Sequence, residues 1–273
     1  MKTWVNGKML DDPDQPVLTA TDHGVTVGDG VFESIKVVDG RAFALTRHLD
    51  RLVSSARGIG LDRVDVDAVR SGIDAALAAE HVAFGRLRVT VTGGPGPLGS
   101  GRGDAPYSLL VSAVPMQAVP TVTEIVTVPW TRNERSAVAG LKTTSYAENV
   151  VALARATEQG ASEAVFANTQ GHLCEGTGSN VFYVVDGELR TPTLVSGCLA
   201  GVTRALVLAW CGGREVDEPI AVAEAADEVF LVSTTRDVQA VRRWNGRELP
   251  APGPVTAEAQ RVWREREAAD IDP

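Results

Sequence analysis

The chain has 273 residues, 44 % hydrophobic and 22 % charged, with a formal net charge of -9. That length suits two domains of ordinary size and a core that needs no staples. The acidic balance argues against nonspecific nucleic-acid binding, which wants a basic face, and no run approaches the ~20 apolar residues of a membrane span.

Along the chain, Trp4-Val5 followed by Asn6-Gly7 signals a hairpin. His23-Gly24 and Gly28-Asp29-Gly30 then lead into a β-rich run over 31–38, closed by Asp39-Gly40, a second hairpin turn. Over 46–59, Leu49, Leu52, Val53 and Ala56 recur at helical spacing, with Thr46 as the expected N-cap. A second amphipathic helix is predicted over 67–79, and two strands over 86–92 and 107–114. The stretch 93–103 between those strands is rich in Gly and Pro, too broken for an element and long for a hairpin, which suits an active-site loop.

Two prolines and no periodicity mark a linker, placed at 116–121. It divides a small N-terminal domain (1–115) from a larger C-terminal one (122–273). In the second part, strands are predicted over 122–128, 164–167, 181–185 and 229–232. Helices are predicted over 146–159 (on Val150, Leu153 and Ala154), 202–210 and 256–268. Mixed strands and helices throughout point to an α/β or α+β protein of two parts.

Cys174, Cys198 and Cys211 form no CxxC pair, so no disulfide framework or zinc motif is expected. Residues 1–10 hold no apolar stretch of signal-peptide length, and a reducing cytoplasm is the expected compartment. His23, His48, His81 and His172 lack ligand spacing, so no metal site is expected.

Four features carry chemistry, and each has a plain structural explanation when taken singly. Lys142, in Leu141-Lys142-Thr143-Thr144-Ser145-Tyr146, sits among small and apolar residues at a helix start. That setting suits a Schiff-base lysine, which needs partial desolvation or a nearby cation to be neutral; a solvated surface lysine would look the same. Glu175 opens the run Glu175-Gly176-Thr177-Gly178-Ser179-Asn180, where glycine permits close approach to a flat ligand. Facing a pyridine nitrogen, its carboxylate would keep the ring protonated and electron-withdrawing. Gly201-Val202-Thr203-Arg204 opens a helix whose free N–H groups and dipole suit a phosphate. Ser233-Thr234-Thr235 could add hydroxyls to the same group, or be an ST-turn at a strand end. His48 and Arg51 are three apart on one helix face, and arginine pairs well with a phosphate dianion.

In this order the motifs resemble the class IV (fold type IV) pyridoxal-phosphate enzymes. The resemblance runs from Asn6-Gly7 to about Val241. It rests on Asp22-His23-Gly24, Gly28-Asp29-Gly30-Val31-Phe32-Glu33, His48-Leu49-Asp50-Arg51-Leu52, Leu141-Lys142, the Glu175–Phe182 run and Gly201-Val202-Thr203-Arg204. The group includes D-amino-acid aminotransferases, branched-chain aminotransferases, R-selective amine transaminases and 4-amino-4-deoxychorismate lyases.

The resemblance implies a small α/β domain and a larger one with pyridoxal 5′-phosphate between them, in a homodimer whose active site is shared. It implies Lys142 as Schiff-base lysine and acid–base, and Glu175 at the pyridine nitrogen. Arg51, Val202, Thr203, Thr234 and Thr235 would hold the phosphate, with Ser179 and Asn180 also against the cofactor. Phe32, Arg86, Arg88 and Tyr146 would face the substrate; by strand alternation both arginines share a face, and Arg102 is a third candidate for the substrate carboxylate. The Arg-x-His carboxylate trap of the D-amino-acid enzymes aligns with Leu98 and Ser100, so that trap is missing. The implied activity is amino transfer between an amino acid, possibly a D-amino acid, or a primary amine and a 2-oxo acid. Deoxychorismate lyase chemistry, releasing pyruvate and 4-aminobenzoate, and branched-chain L-amino-acid transfer stay open.

Overall fold

In the computed structural model, which describes residues 1–273, Asn6 and Gly7 take positive φ of 46° and 96°. They close the first predicted hairpin, between β1 (Lys2–Val5) and β2 (Lys8–Met9). A short helix, α1 (His23–Thr26), follows, its N-terminus capped by the Asp22 carboxylate, which accepts from Gly24 N. Next come β3 (Gly30–Val38), β4 (Arg41–Ala42), α2 (Leu45–Gly58), α3 (Val66–Ala78), β5 (Phe84–Thr92) and β6 (Ser108–Pro115). Asp65 caps α3 through Asp67 N and Ala68 N. At α2 the expected Thr46 cap is replaced: Ala44, in the left-handed region, is the N-cap residue, and Thr46 instead donates to Asp272 Oδ2.

These elements form a six-stranded antiparallel sheet in the order β2-β1-β6-β5-β3-β4. Its core places Val31, Ile35 and Val37 of β3 and Leu87, Val89 and Val91 of β5 against Leu49, Leu52 and Ala56 of α2 and Val69, Ile73 and Ala76 of α3. By strand alternation, Phe32, Ser34 and Lys36, with Arg86, Arg88 and Thr90, share the opposite face. The chain splits into two compact units, and the first comprises Met1–Ala118, Leu141–Tyr146 and Ile271–Pro273. The sequence-based division placed 141–146 and 271–273 in the second part. Backbone bonds explain the difference: Phe32 N donates to Lys142 O, Thr144 N donates to Gly30 O, Val31 bridges Thr143, and Ala44 N donates to Ile271 O.

The second unit comprises Val119–Gly140 and Ala147–Asp270. It contains β7 (Val122–Arg132), α4 (Ala147–Glu158), β8 (Glu163–Asn168), β9 (Leu173–Gly176), β10 (Asn180–Val185), β11 (Glu188–Pro192), α5 (Val202–Cys211), β12 (Arg214–Val216), α6 (Ile220–Glu224), β13 (Glu228–Ser233), β14 (Asp237–Trp244), β15 (Arg247–Glu248) and α7 (Pro254–Ala269). The nine-stranded sheet runs β12-β11-β10-β13-β14-β7-β8-β9, with β15 on β14. Val181, Tyr183, Val229, Leu231 and Trp244 fill one core with Ala223 and Ala226. Phe182 and Phe230 stack at 5.1 Å on the other face of their strands.

Helix α4 forms where expected but buries the other face: Asn149, Ala152 and Ala156 are inside, while Val150 and Leu153 are exposed. Small residues allow the close approach to Val126, Val128 and Phe166, so size rather than hydrophobicity selected the packed side. No helix is long and apolar enough to cross a membrane, and all three cysteines are free.

Candidate active site

Lys142 belongs to the first unit and is half-buried there. Its backbone is fixed on two sides. Its carbonyl accepts from Phe32 N at 3.0 Å, and its N–H donates to Ser55 Oγ of α2 at 3.1 Å. Just beyond, the Thr144 and Ser145 hydroxyls both donate to Gly28 O, at 2.9 and 3.0 Å. Here Gly28 needs its positive φ of 69°. The Gly28-Asp29-Gly30 run is thus the dock for the lysine segment.

The Lys142 side chain lies over an aromatic floor. Nζ is 4.3 Å from the Phe32 ring centroid and 5.9 Å from that of Tyr146. The two rings meet edge to face at 5.2 Å. The Arg88 guanidinium sits 3.5 Å from the Phe32 centroid, and its Nε donates to Thr90 Oγ1 at 3.2 Å. Burial lowers the Arg88 pKa, with the charge of Arg86 adding to that and Tyr146 and Glu33 opposing it. Arg86, two residues back, is exposed. Three of the expected substrate residues, Phe32, Arg88 and Tyr146, therefore gather at Lys142, and Arg86 remains at the surface.

Beneath this floor lies a buried ionic cluster. Glu33 has no exposed side-chain surface and takes a two-pronged grip from Arg51: Nε to Oε1 at 2.8 Å and Nη2 to Oε2 at 2.7 Å. His48 Nδ1 lies 2.7 Å from Oε2. Burial pushes the Glu33 carboxyl up, but Arg51 and His48 outweigh it and hold the pKa at about 2. The His48 pKa is lowered, first by burial, with Arg51 and Lys142 adding to it against the pull of Glu33. The helix spacing that set His48 and Arg51 on one face was legible; that the face is buried on a carboxylate was not.

Arg102 is otherwise engaged. Its Nε and Nη2 clasp Asp29 at 2.7 and 2.6 Å, and it donates to the carbonyls of Ile59 and Gly60. His23 Nε2 meets Pro97 O at 2.9 Å. Both contacts tie down the Gly/Pro-rich loop. Arg102, a candidate for the substrate carboxylate, thus holds a carboxylate of the chain's own.

In the second unit, Glu175 stands near the end of β9. Leu199 N donates to its Oε2 at 2.9 Å, and Arg132 Nε lies 3.4 Å from its Oε1. Arg132 also holds Glu148 and donates to Asn149 Oδ1. Motif reading missed Arg132 because its partners are scattered along the chain. The Gly176–Ser179 turn winds round Glu163, whose Oε1 accepts from Thr177 Oγ1, Gly178 N and Ser179 Oγ. Ser179 is spent on that turn, and Asn180 Nδ2 donates to Leu199 O. A Cβ at Gly201 would fall 2.0 Å from Asn180 Oδ1, so a side chain there would have to displace the Asn180 amide from Leu199 O.

The first-turn N–H groups of α5 have no helical acceptor. Thr203 lies in that first turn, and Thr234 and Thr235 lie in the turn after β13; all three carry hydroxyls. Donors on a positive helix end suit a phosphate, and a carboxylate flanked by a glycine turn suits a ring nitrogen. The residues present in the second unit therefore fit a phosphorylated pyridine.

The profile of the amino-transferase class IV family matches residues 30–244. The chain belongs to the class IV aminotransferase family. Enzymes of this family depend on pyridoxal phosphate, and that is the cofactor here. Among relatives, a Mycobacterium tuberculosis bifunctional aminodeoxychorismate lyase / D-amino acid transaminase is 31 % identical, over 92 % of this chain and 93 % of that protein. Among solved structures, the branched-chain aminotransferase of Thermoproteus uzoniensis with norvaline superposes with a TM-score of 0.89 at 26 % identity, over 97 % of this chain and 94 % of that one. A PLP-bound Mycobacterium tuberculosis aminotransferase gives a TM-score of 0.86 at 26 % identity, over 99 % and 100 %. The expected fold type, with two curled sheets in a mixed α/β chain, is thus found.

Proposed function

We propose that this class IV aminotransferase moves an amino group between an amino acid, D-amino acids included, and a 2-oxo acid, with Lys142 as the lysine that holds the cofactor. The observation that carries the reading is the placement of Lys142 Nζ 4.3 Å over the Phe32 ring, on a segment fastened by backbone bonds to β3 and by the Ser55 hydroxyl of α2. When bound, pyridoxal phosphate supplies an electron sink for the carbanion at the substrate Cα. Lys142 Nζ moves the proton at that carbon. Glu175 holds the proton on the ring nitrogen, backed by Arg132. The N–H groups of Val202 and Thr203, the hydroxyls of Thr203, Thr234 and Thr235, and Arg51 would hold its phosphate. Ser179 and Asn180 shape the turn that presents Glu175 and Gly201. Phe32 and Tyr146 form an apolar floor that limits water at the reacting carbon.

The lyase is the second reading, favoured by the relative that carries both names and by the anchored glycine-rich loop. Two further proposals concern setting: a homodimer with a shared active site, and a cytoplasmic location in keeping with the three free thiols. A half-reaction screen tests the main reading. The cofactor spectrum of the holoenzyme should convert to the amino form on mixing with D-alanine or another amino acid. Failure with every D- and L-amino acid, together with release of pyruvate and 4-aminobenzoate from aminodeoxychorismate, would transfer the assignment to the lyase.

A further inference from the structure

We infer that Glu163 is a positioning residue for the cofactor and fastens two turns at once. One of its oxygens gathers the turn that follows Glu175; the other holds, through Arg236, the turn that carries Thr234 and Thr235. The inference rests on the reading of Glu175, Thr234 and Thr235 as cofactor-holding groups. Glu163 opens β8, is buried, and is followed by the apolar run Ala164-Val165-Phe166-Ala167. A carboxylate in such a place is costly unless its oxygens are partnered. A buried ion pair adds little stability over apolar packing of the same volume, so what this one contributes is register.

The two oxygens have separate partners. Oε1 accepts from Thr177 Oγ1 at 2.9 Å, Gly178 N at 2.6 Å and Ser179 Oγ at 3.1 Å. The turn closes directly on it: a Cβ at Gly176 would fall 2.7 Å from Oε1. Glu175 is the residue before that glycine, so the turn sets where its carboxylate points. Oε2 accepts from Arg236 Nη2 at 2.6 Å. Arg236 closes the second turn with its backbone, its N–H donating to Ser233 O at 3.2 Å. Its side chain also donates to Ser162 O at 3.1 Å and to Gln239 Oε1. Thr234 and Thr235 are the two residues between Ser233 and Arg236. A single carboxylate in the second unit therefore spans the ring-nitrogen turn and the phosphate turn. Glutamine at 163 would keep one acceptor oxygen only. Turned to the three donors, that oxygen leaves an NH2 against the Arg236 guanidinium, donor against donor. The change would release the phosphate turn and keep the other.

The test is equilibrium binding of pyridoxal phosphate and of unphosphorylated pyridoxal to the cofactor-free chain, read by absorbance, in wild type, E163Q, R236Q, R236K, the double variant E163Q/R236Q and the double variant T234V/T235V. E163Q and R236Q should each lose about tenfold in affinity for pyridoxal phosphate, the worth of one hydrogen bond to a charged group, and keep their affinity for pyridoxal. R236K, which keeps the charge on Glu163, should lose less. E163Q/R236Q should fall no further than either single variant, because the two side chains act as one unit. Arg236 is the more exposed partner, so R236Q carries the test even where E163Q does not fold. Unchanged phosphate affinity in R236Q, an equal loss for both ligands, or additive losses in E163Q/R236Q overturns the inference. T234V/T235V separates the inference from the reading beneath it. A loss of phosphate affinity there with none in R236Q refutes the inference alone. No loss in T234V/T235V removes that turn from the phosphate site, and the inference falls with it.

Discussion

Replacing Glu33 with Gln should cost stability in a pH-dependent way. The perturbation leaves the Arg51 cation facing an amide inside the first unit, where breaking a buried pair typically costs about 3–5 kcal/mol. The pKa gives a similar figure. Glu33 is held at about 2 against an ordinary 4.5, and at 1.36 kcal/mol per unit that difference is about 3 kcal/mol. The sign follows from linkage: a depressed carboxyl stabilises the fold above its unfolded pKa and loses that contribution as the pH falls from 4.5 toward 2. Between pH 6 and pH 3.5 wild type should therefore lose on the order of 1–2 kcal/mol through this one group. E33Q has no such group to titrate. Urea unfolding of both proteins across that range, read by fluorescence, measures the gap between them. The gap should be about 3 kcal/mol at pH 6 and should narrow by about half at pH 3.5. A gap under about 1 kcal/mol, or one that does not change with pH, would refute the ionic role given to Glu33.

Other outcomes are expected. Gly201→Ala forces a Cβ to 2.0 Å from Asn180 Oδ1. It should cost about 1–3 kcal/mol in thermal unfolding and weaken cofactor binding in absorbance titrations. Thr203→Val should lower the affinity of the apoprotein for pyridoxal phosphate by about tenfold, the worth of one hydrogen bond to a charged group. Its affinity for unphosphorylated pyridoxal should stay the same; an equal drop for both would remove Thr203 from the phosphate site. Asp29→Asn frees Arg102, so tryptic cleavage after Arg102 should speed up several-fold. The pair is partly exposed, so global stability should change by less than about 1 kcal/mol.

Local signals predicted most of the elements. Asn6-Gly7 and Asp39-Gly40 specify positive φ, and the 3.6-residue period of α2 placed His48 and Arg51 together. What stayed hidden depends on distant partners. Glu33 reads as one more residue of an alternating strand, and only the fold sets it under Arg51. Helix α4 misled because Val150 and Leu153 look like a core stripe, while close packing on Phe166 selects Ala152 and Ala156. The edge of β3 recruits residues 142–144 from far along the chain, which no boundary rule based on composition foresees. At the site, Lys142 and Glu175 stood out through their glycine-rich and small-residue surroundings. Arg132 and the clasp of Arg102 on Asp29 left no trace of spacing, since both are tertiary contacts.

The claim on which the rest depends is that the cofactor is held by Lys142. The chain has four lysines, Lys2, Lys8, Lys36 and Lys142, so the lysine can be identified directly. Borohydride reduction of the holoenzyme, followed by digestion and mass spectrometry, should place the pyridoxyl mass on the peptide containing Lys142 alone, and K142A should carry none. Label on the peptide of Lys36, Lys8 or Lys2, or label that survives in K142A, would contradict it.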